Sequence, residues 1–305
     1  MIPNWFYIAL LPPLIWATNY HIDKIVITRW GKGVSNVQFA IISGLGGLLA
    51  VALIILLDPT RLQGGWIIGQ ILPTFFGGFA YFIALYFYYV AISREEVTRV
   101  SSLYSLTPIF GIVLGVGLIG EQISIKQLIG ILIVVTGALL VDIRVVKHML
   151  KINLSVLLLM LGSCAFFTLG SVGFKQSSIT LEIGDNFLWF FVGSIVMTLI
   201  LLVKRSYRQE FHRLFDHKRS WLIPGLVASN VSGMIGRAFY NYAILLAPIA
   251  FIQTVGAFES TFVLLIAYVL WKLFRGLEPE DLSKRVLQQK VISIAIITTG
   301  SLLLL

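Results

Sequence analysis

Phe87-Tyr88-Tyr89-Val90-Ala91-Ile92 returns 152 positions later as Phe239-Tyr240-Asn241-Tyr242-Ala243-Ile244. The same offset sets Val97 opposite Ile249, Val100 opposite Ile252, Ser101 opposite Gln253 and Phe110 opposite Phe262, so the echo runs on through the next apolar segment. A chain that repeats itself at a fixed spacing is built from copies of one structural unit. Composition says where those copies reside. Of 305 residues, 58% are hydrophobic and 12% charged, with a mean hydropathy of +0.92, whereas a soluble domain devotes about a quarter of its residues to charge. The chain is composed for a bilayer. Its net charge of +9 would point to nucleic acid in a soluble protein. Here the cations fall between apolar runs, where they orient spans, and nucleic-acid binding is set aside. Cys164 is the single cysteine, so neither an intramolecular disulfide nor a cysteine-based metal site is expected.

Apolar windows able to cross about 30 Å of hydrocarbon, roughly 20 helical residues each, occur ten times. They lie near 5–27, 34–57, 66–92, 97–119, 124–142, 152–174, 186–203, 221–246, 248–271 and 288–305. Lipid offers backbone groups no partners, and the alternation of barrel strands is absent, so the windows read as helices. Met1 to Arg29 carries too little early positive charge for a cleaved signal and reads as the first span. Five spans per unit is an odd number, so the second unit must enter the membrane upside down. The expected fold is an all-α membrane protein of ten transmembrane helices, two inverted five-helix repeats covering 1–148 and 149–305, joined near Lys147 to Ile152. Connections after the odd-numbered spans hold 18 basic residues, and the opposite side holds Arg61, Lys126 and Lys175. The cation-rich side is expected to be cytoplasmic, with both termini outside.

The stretch from Ala91 to Asp142 carries a family pattern: Val100-Ser101-Ser102-Leu103, Thr107-Pro108-Ile109-Phe110, Gly120-Glu121-Gln122-Ile123-Ser124, Gln127-Leu128-Ile129-Gly130 and Thr136-Gly137-Ala138-Leu139-Leu140. With Trp16-Ala17-Thr18-Asn19 in span 1, it resembles the EamA-like transporters of the drug/metabolite transporter superfamily. The second half departs from the pattern: Ser260 replaces the span 4 proline, Leu273 stands where Glu121 would repeat, and about 11 extra residues precede span 10. Members of the family usually keep their basic cluster after span 2 and both termini in the cytoplasm, the reverse of the charge count here. The resemblance implies a secondary transporter with a central pocket lined by both repeats and alternating access. Small residues at Gly44, Gly47, Gly111, Gly115, Gly233 and Gly236 suit either sliding or static close packing.

Ionisable groups inside apolar spans are the sharpest functional signal, because each costs roughly 2.5 to 3.5 kcal/mol or more at mid-membrane unless paired or wetted. Glu259 falls at the centre of span 9 and Arg237 within span 8. Asn230, Arg237 and Asn241, spaced 7 and 4 apart, share one helical face. Arg237 and Glu259 either neutralise each other or meet a polar substrate or a proton. Span 1 presents Trp16, Asn19, Tyr20 and Asp23 at helical spacing behind a kink-forming Pro12-Pro13. Asp23 and Lys24 lie where they could instead reach the interface. Span 3 carries the aromatic stripe Phe75, Phe79, Phe82, Tyr86 and Tyr89, of which Tyr86 and Tyr89 are the better candidates for substrate contact. His21 reads as an ordinary hydrogen-bonding residue, and no metal or cofactor is expected.

The expected substrate-binding residues are therefore Trp16, Asn19, Tyr86, Tyr89, Asn230, Arg237, Asn241 and Glu259, with Glu259 and Asp23 as proton-coupling candidates. The leading expectation is a multi-pass permease of the cell or inner membrane, moving small organic metabolites such as amino acids or drug-like compounds, coupled to protons because no nucleotide-binding loop is present. A nucleotide-sugar or phosphate-sugar exchanger, or a lipid-linked carrier flippase, is the second reading, and a non-transporting scaffold the third. An enzyme is not expected: no His-Glu-x-x-His, Gly-x-Ser-x-Gly or paired Asp motif occurs.

Overall fold

The computed structural model describes residues 3–25, 35–92, 94, 100, 103–142, 154–213, 222–273 and 284–304, and among them there is no strand. The connection between the proposed units, near Lys147 to Ile152, lies outside the described residues. The helices are α1 (Asn4–Ala9), α2 (Leu11–Ile25), α3 (Asn36–Leu57), α4 (Ile68–Ile92), α5 (Thr107–Ile119), α6 (Ile125–Asp142), α7 (Leu154–Ser177), α8 (Ile183–Val203), α9 (Arg205–Arg213), α10 (Leu222–Leu246), α11 (Ile249–Val255), α12 (Glu259–Leu273) and α13 (Lys284–Leu302). Among the described residues each apolar window thus falls largely on helix. Four of them, α3, α4, α7 and α8, are long and apolar enough to cross a membrane, while shorter apolar helices lie at Tyr104–Ile119, Ile125–Leu139, Ile249–Val263 and Val291–Leu302. Leu56 and Leu57 of α3 stay 78% and 76% exposed, a surface suited to lipid rather than water.

Local chemistry sets the helix ends. Ser35 and Gln38 close a capping box at the start of α3, each satisfying an amide that the first turn leaves open. Gly120 ends α5 at φ +67°, where a side chain would be strained, and lets Glu121 N–H return to the Gly115 carbonyl. The first window is not one helix: α1 stops at Ala9 and α2 starts at Leu11. Pro12 and Pro13 have no N–H to offer the Ile8 and Ala9 carbonyls, so the interruption falls one turn before them.

The window at 97–119 is interrupted too, by a 3-10 turn at Tyr104–Leu106, and the window at 248–271 by one at Gly256–Phe258. These two turns are 152 positions apart, the spacing of the sequence echo. In the first, Pro108 cannot donate to the Tyr104 carbonyl, and the Thr107 backbone and hydroxyl take that acceptor instead. In the second no proline is present. Gly256, a weak helix former, opens the turn, and Glu259 N–H closes it on the Gly256 carbonyl.

Helices of the first half find their main neighbours in the second. α4 packs on α7 and α8, α2 on α10 and α12, α3 on α8, α5 on α11 and α7, and α6 on α13. Glycine decides how closely they approach. A Cβ on Gly78 of α4 would stand 1.7 Å from the Phe190 carbonyl oxygen of α8, and one on Gly193 of α8 would stand 1.9 Å from the Phe75 carbonyl oxygen. Each helix therefore presses bare backbone against the other. The glycines singled out from sequence also lie at contacts: Gly44 beside Thr198 and Phe82, Gly47 beside Ile195, Gly111 beside Gln253, Gly236 beside Trp16. Around these approaches Phe174, Phe190, Ile244, Ile249 and Ile252 form the common core.

Candidate functional site

Arg237 projects from the middle of α10 into the seam between the halves and is 0% exposed. Its guanidinium carbon stands 4.3 Å from the ring centre of Tyr81 (α4), 4.7 Å from Phe167 (α7), 4.9 Å from Phe190 (α8) and 5.0 Å from Tyr240 (α10). Gly170 of α7 lies beside it: a Cβ there would stand 3.5 Å from Nη2, an ordinary contact. Among the described residues none of its three nitrogens has a hydrogen-bond partner. Ring faces attract a desolvated cation by about 2 kcal/mol. They do nothing for the in-plane N–H groups.

Neutral polar groups surround this cation. Asn241, one turn along α10, is 0% exposed with both amide atoms unpaired. Gln253 of α11 donates to Thr168 Oγ1 at 2.9 Å, while its own carbonyl oxygen has no donor. Tyr240 shares a hydrogen bond of 3.1 Å with Ser171, and Tyr104 one of 2.9 Å with Ser163. Trp16 of α2 borders the cage, its ring centre 5.9 Å from Tyr240 and 6.3 Å from Phe167, and its indole N–H reaches the Gly233 carbonyl at 3.4 Å.

The structure brings Trp16, Arg237 and Asn241 together, and sets Asn19 near Gly233 of the same helix. It does not bring the others to Arg237. Asn230 donates to its own Leu226 carbonyl at 2.7 Å and packs on Gly46 of α3. Asn230 thus faces α3, away from the rings that surround Arg237. Tyr86 and Tyr89 lie further along α4, where Tyr86 meets Tyr207 at 3.2 Å and Tyr89 meets Ser43 at 2.9 Å and stacks on Phe39. Arg237 and Glu259 form no ion pair. Glu259 is half-buried at the first residue of α12, at the helix break rather than mid-helix. The side chains of Tyr20, Asp23 and Lys24 lie outside the described residues, as does Ser101. His21 Nε2 lies 3.1 Å from the Val263 carbonyl, the hydrogen bond expected of it. Among the described residues no group of three or more His, Cys, Asp and Glu side chains is placed to hold a metal.

Sequence reasoning did not single out Tyr81, Phe167, Phe190 or Tyr240. Tyr240 sits inside the repeated stretch, next to Asn241, and was the one readable signal. It also missed two ionic contacts that tie the halves at one end of the bundle, on either side of the α7–α8 turn. Lys175 pairs with Glu121 at 2.6 Å and donates to the Ala247 carbonyl at 2.8 Å, and Glu121 accepts the Ile249 N–H that starts α11 at 3.0 and 3.1 Å. Arg61 pairs with Asp185 at 2.8 Å, Asp58 at 3.1 Å and Glu182 at 3.5 Å.

The second contact has a pH signature. The Thr60 hydroxyl, and then the Arg61 charge, hold the Asp58 carboxyl below its ordinary value, while the hydrogen bond to Asp185 raises the Arg61 guanidinium. A carboxyl with a depressed folded value stabilises above its unfolded value and loses that contribution as pH falls through the folded one. Arg61 stays charged throughout this range. The melting temperature of the wild-type protein minus that of Asp58→Asn should be constant from about pH 8 to 5 and shrink only below about pH 4. A difference already gone at pH 6 would contradict this assignment.

A bundle of apolar helices with broken elements and a buried cation at its seam defines a polytopic α-helical membrane protein. Residues 4–142 match the model of the EamA-like transporter family. No curated protein matches the chain. A solved structure described as "Crystal structure of protein" aligns with 98% of this chain and 96% of that one at 15% identity, with a TM-score of 0.64. That likeness carries the fold and no substrate.

Proposed function

We propose that this protein is a secondary transporter of small organic metabolites, working by alternating access of ten spans arranged as two inverted repeats, with protons as the coupling ion. The observation that carries the reading is Arg237: a wholly buried cation without a hydrogen-bond partner, ringed by side chains from both halves. A static bundle would have no use for so expensive a group. Three further features support it. The helix breaks at Tyr104–Leu106 and Gly256–Phe258 occupy equivalent positions of the sequence echo, and paired broken helices mark the midplane sites of carriers. The packing of α4 on α7 has its counterpart, under the same exchange of halves, in α10 on α2, and that of α5 on α7 in α12 on α2. The family of residues 4–142 is one of transporters.

Glu259 stands at the second break with an acidic side chain, as a proton acceptor must. A phosphate-sugar exchanger would need more than one deep cation for a dianion, and among the described residues Arg237 is the cation buried at this seam. The test is uptake into proteoliposomes from a panel of metabolites under an imposed pH gradient. One class of compound should accumulate with the gradient. Arg237→Gln should lower its uptake about tenfold to a hundredfold, the range of a lost hydrogen bond to a charged group, and Glu259→Gln should uncouple uptake from pH. Full, pH-driven uptake by both variants would remove these residues from the mechanism.

A further inference from the structure

We infer that the Arg237 cage takes the carboxylate of an amphipathic organic monoanion, its apolar body lying among Tyr81, Phe167, Phe190, Tyr240 and Trp16. This rests on the transporter reading above and names the substrate class. The guanidinium carbon lies over the faces of four rings, which offer its N–H groups no hydrogen-bond acceptor. What remains unmet is in the plane, where Nε, Nη1 and Nη2 all lack acceptors. A carboxylate supplies two oxygens in that plane at the spacing of the guanidinium fork. The buried Asn241 amide, four residues on and on the same helix face, offers a further neutral donor to the same group.

Charge decides between classes of acid. Among the described residues no carboxylate pairs with Arg237, and every ring around it is neutral. The carboxylate within electrostatic reach of Tyr240 is Glu121. It is already engaged by Lys175 and the Ile249 N–H. The cage therefore offers one positive charge and no counterpart for an ammonium, which fits a monoanion rather than a zwitterion or a phosphate dianion. The aromatic walls add apolar contact for a ring or short chain.

The test is direct binding to the full chain in detergent micelles, read by tryptophan emission and thermal shift, because Trp16 lies against two of the rings. Phenylacetate and octanoate are compared with their uncharged amides and with phenyl phosphate. The acids should bind at least about tenfold more tightly than the amides. Arg237→Gln should bring that ratio close to one, and Arg237→Lys, which keeps the charge but loses the fork, should leave it in between. An acid-to-amide ratio near one in the wild type overturns the inference, as do tighter binding of phenyl phosphate, an unchanged ratio in Arg237→Gln, or no binding of either acid. Should Arg237→Gln fail to fold, the wild-type ratio and Arg237→Lys decide. Acid-selective binding without transport would overturn the transporter reading alone, whereas pH-driven transport of uncharged solutes with no acid preference would overturn this inference alone.

Discussion

Gly78→Ala will destabilise this protein by about 3 kcal/mol or more, at the upper end of what overpacking a core costs. The added methyl carbon would fall 1.7 Å from the Phe190 carbonyl oxygen and 3.1 Å from the Ser194 nitrogen. Those are backbone atoms of α8 and cannot rotate away, so α4 and α8 must separate. Separation would also strip Gly193 from the Phe75 backbone and loosen Tyr81 and Phe190 around Arg237. The same substitution at Gly69 of α4 and Gly117 of α5 meets nothing within 4 Å. There it should be neutral or stabilise by about 0.5–1 kcal/mol through better helix propensity. Apparent melting temperatures in detergent for Gly78→Ala, Gly193→Ala, Gly69→Ala and Gly117→Ala decide the matter. Equal effects at all four positions would show that helix propensity, not interhelical distance, governs these sites.

Lys175→Ala comes next, with an expected loss of about 3–5 kcal/mol, the cost of leaving one member of a buried ion pair behind. Glu121 has 7% of its side chain exposed against 22% for Lys175. Without the lysine its remaining partner among the described residues is the Ile249 amide. Glu121→Ala should cost less, because Lys175 can extend toward solvent, although Ile249 then loses the acceptor for its amide. Removing both should cost clearly less than the two single losses together, since the second removal takes away a group already stranded. Additive losses would mean that the two side chains act independently. Because this pair holds the α5–α6 connection of the first half to the start of α11 in the second, Lys175→Ala should also increase protease cleavage between Glu121 and Ile125.

Arg237 shows where sequence reading stops. Hydropathy alone marks it as a cation in an apolar helix, and the 100° turn per residue puts Asn241 on its face. Neither says what the face meets. The structure answers with rings from α4, α7 and α8, and leaves Glu259, the obvious partner on charge grounds, at a helix break without an ion pair to Arg237. Asn230 shows the limit of periodicity from the other side: it has the right phase but bonds to its own helix. Tyr86 and Tyr89 have the phase of the aromatic stripe, but their end of α4 belongs to contacts with α3 and α9.

By itself the sequence determined that the chain is helical and membrane-bound, that its pattern recurs at 152 positions, and that Arg237, Asn241 and Trp16 are out of place in lipid. Those properties follow from composition and local periodicity, which every short stretch carries within itself. Tertiary structure decided the aromatic cage, the Glu121–Lys175 contact and the bare-backbone approach of α4 to α8. Each depends on which faces of distant helices meet and how closely, and that is set by the joint packing of glycines and rings from both halves rather than by any one segment.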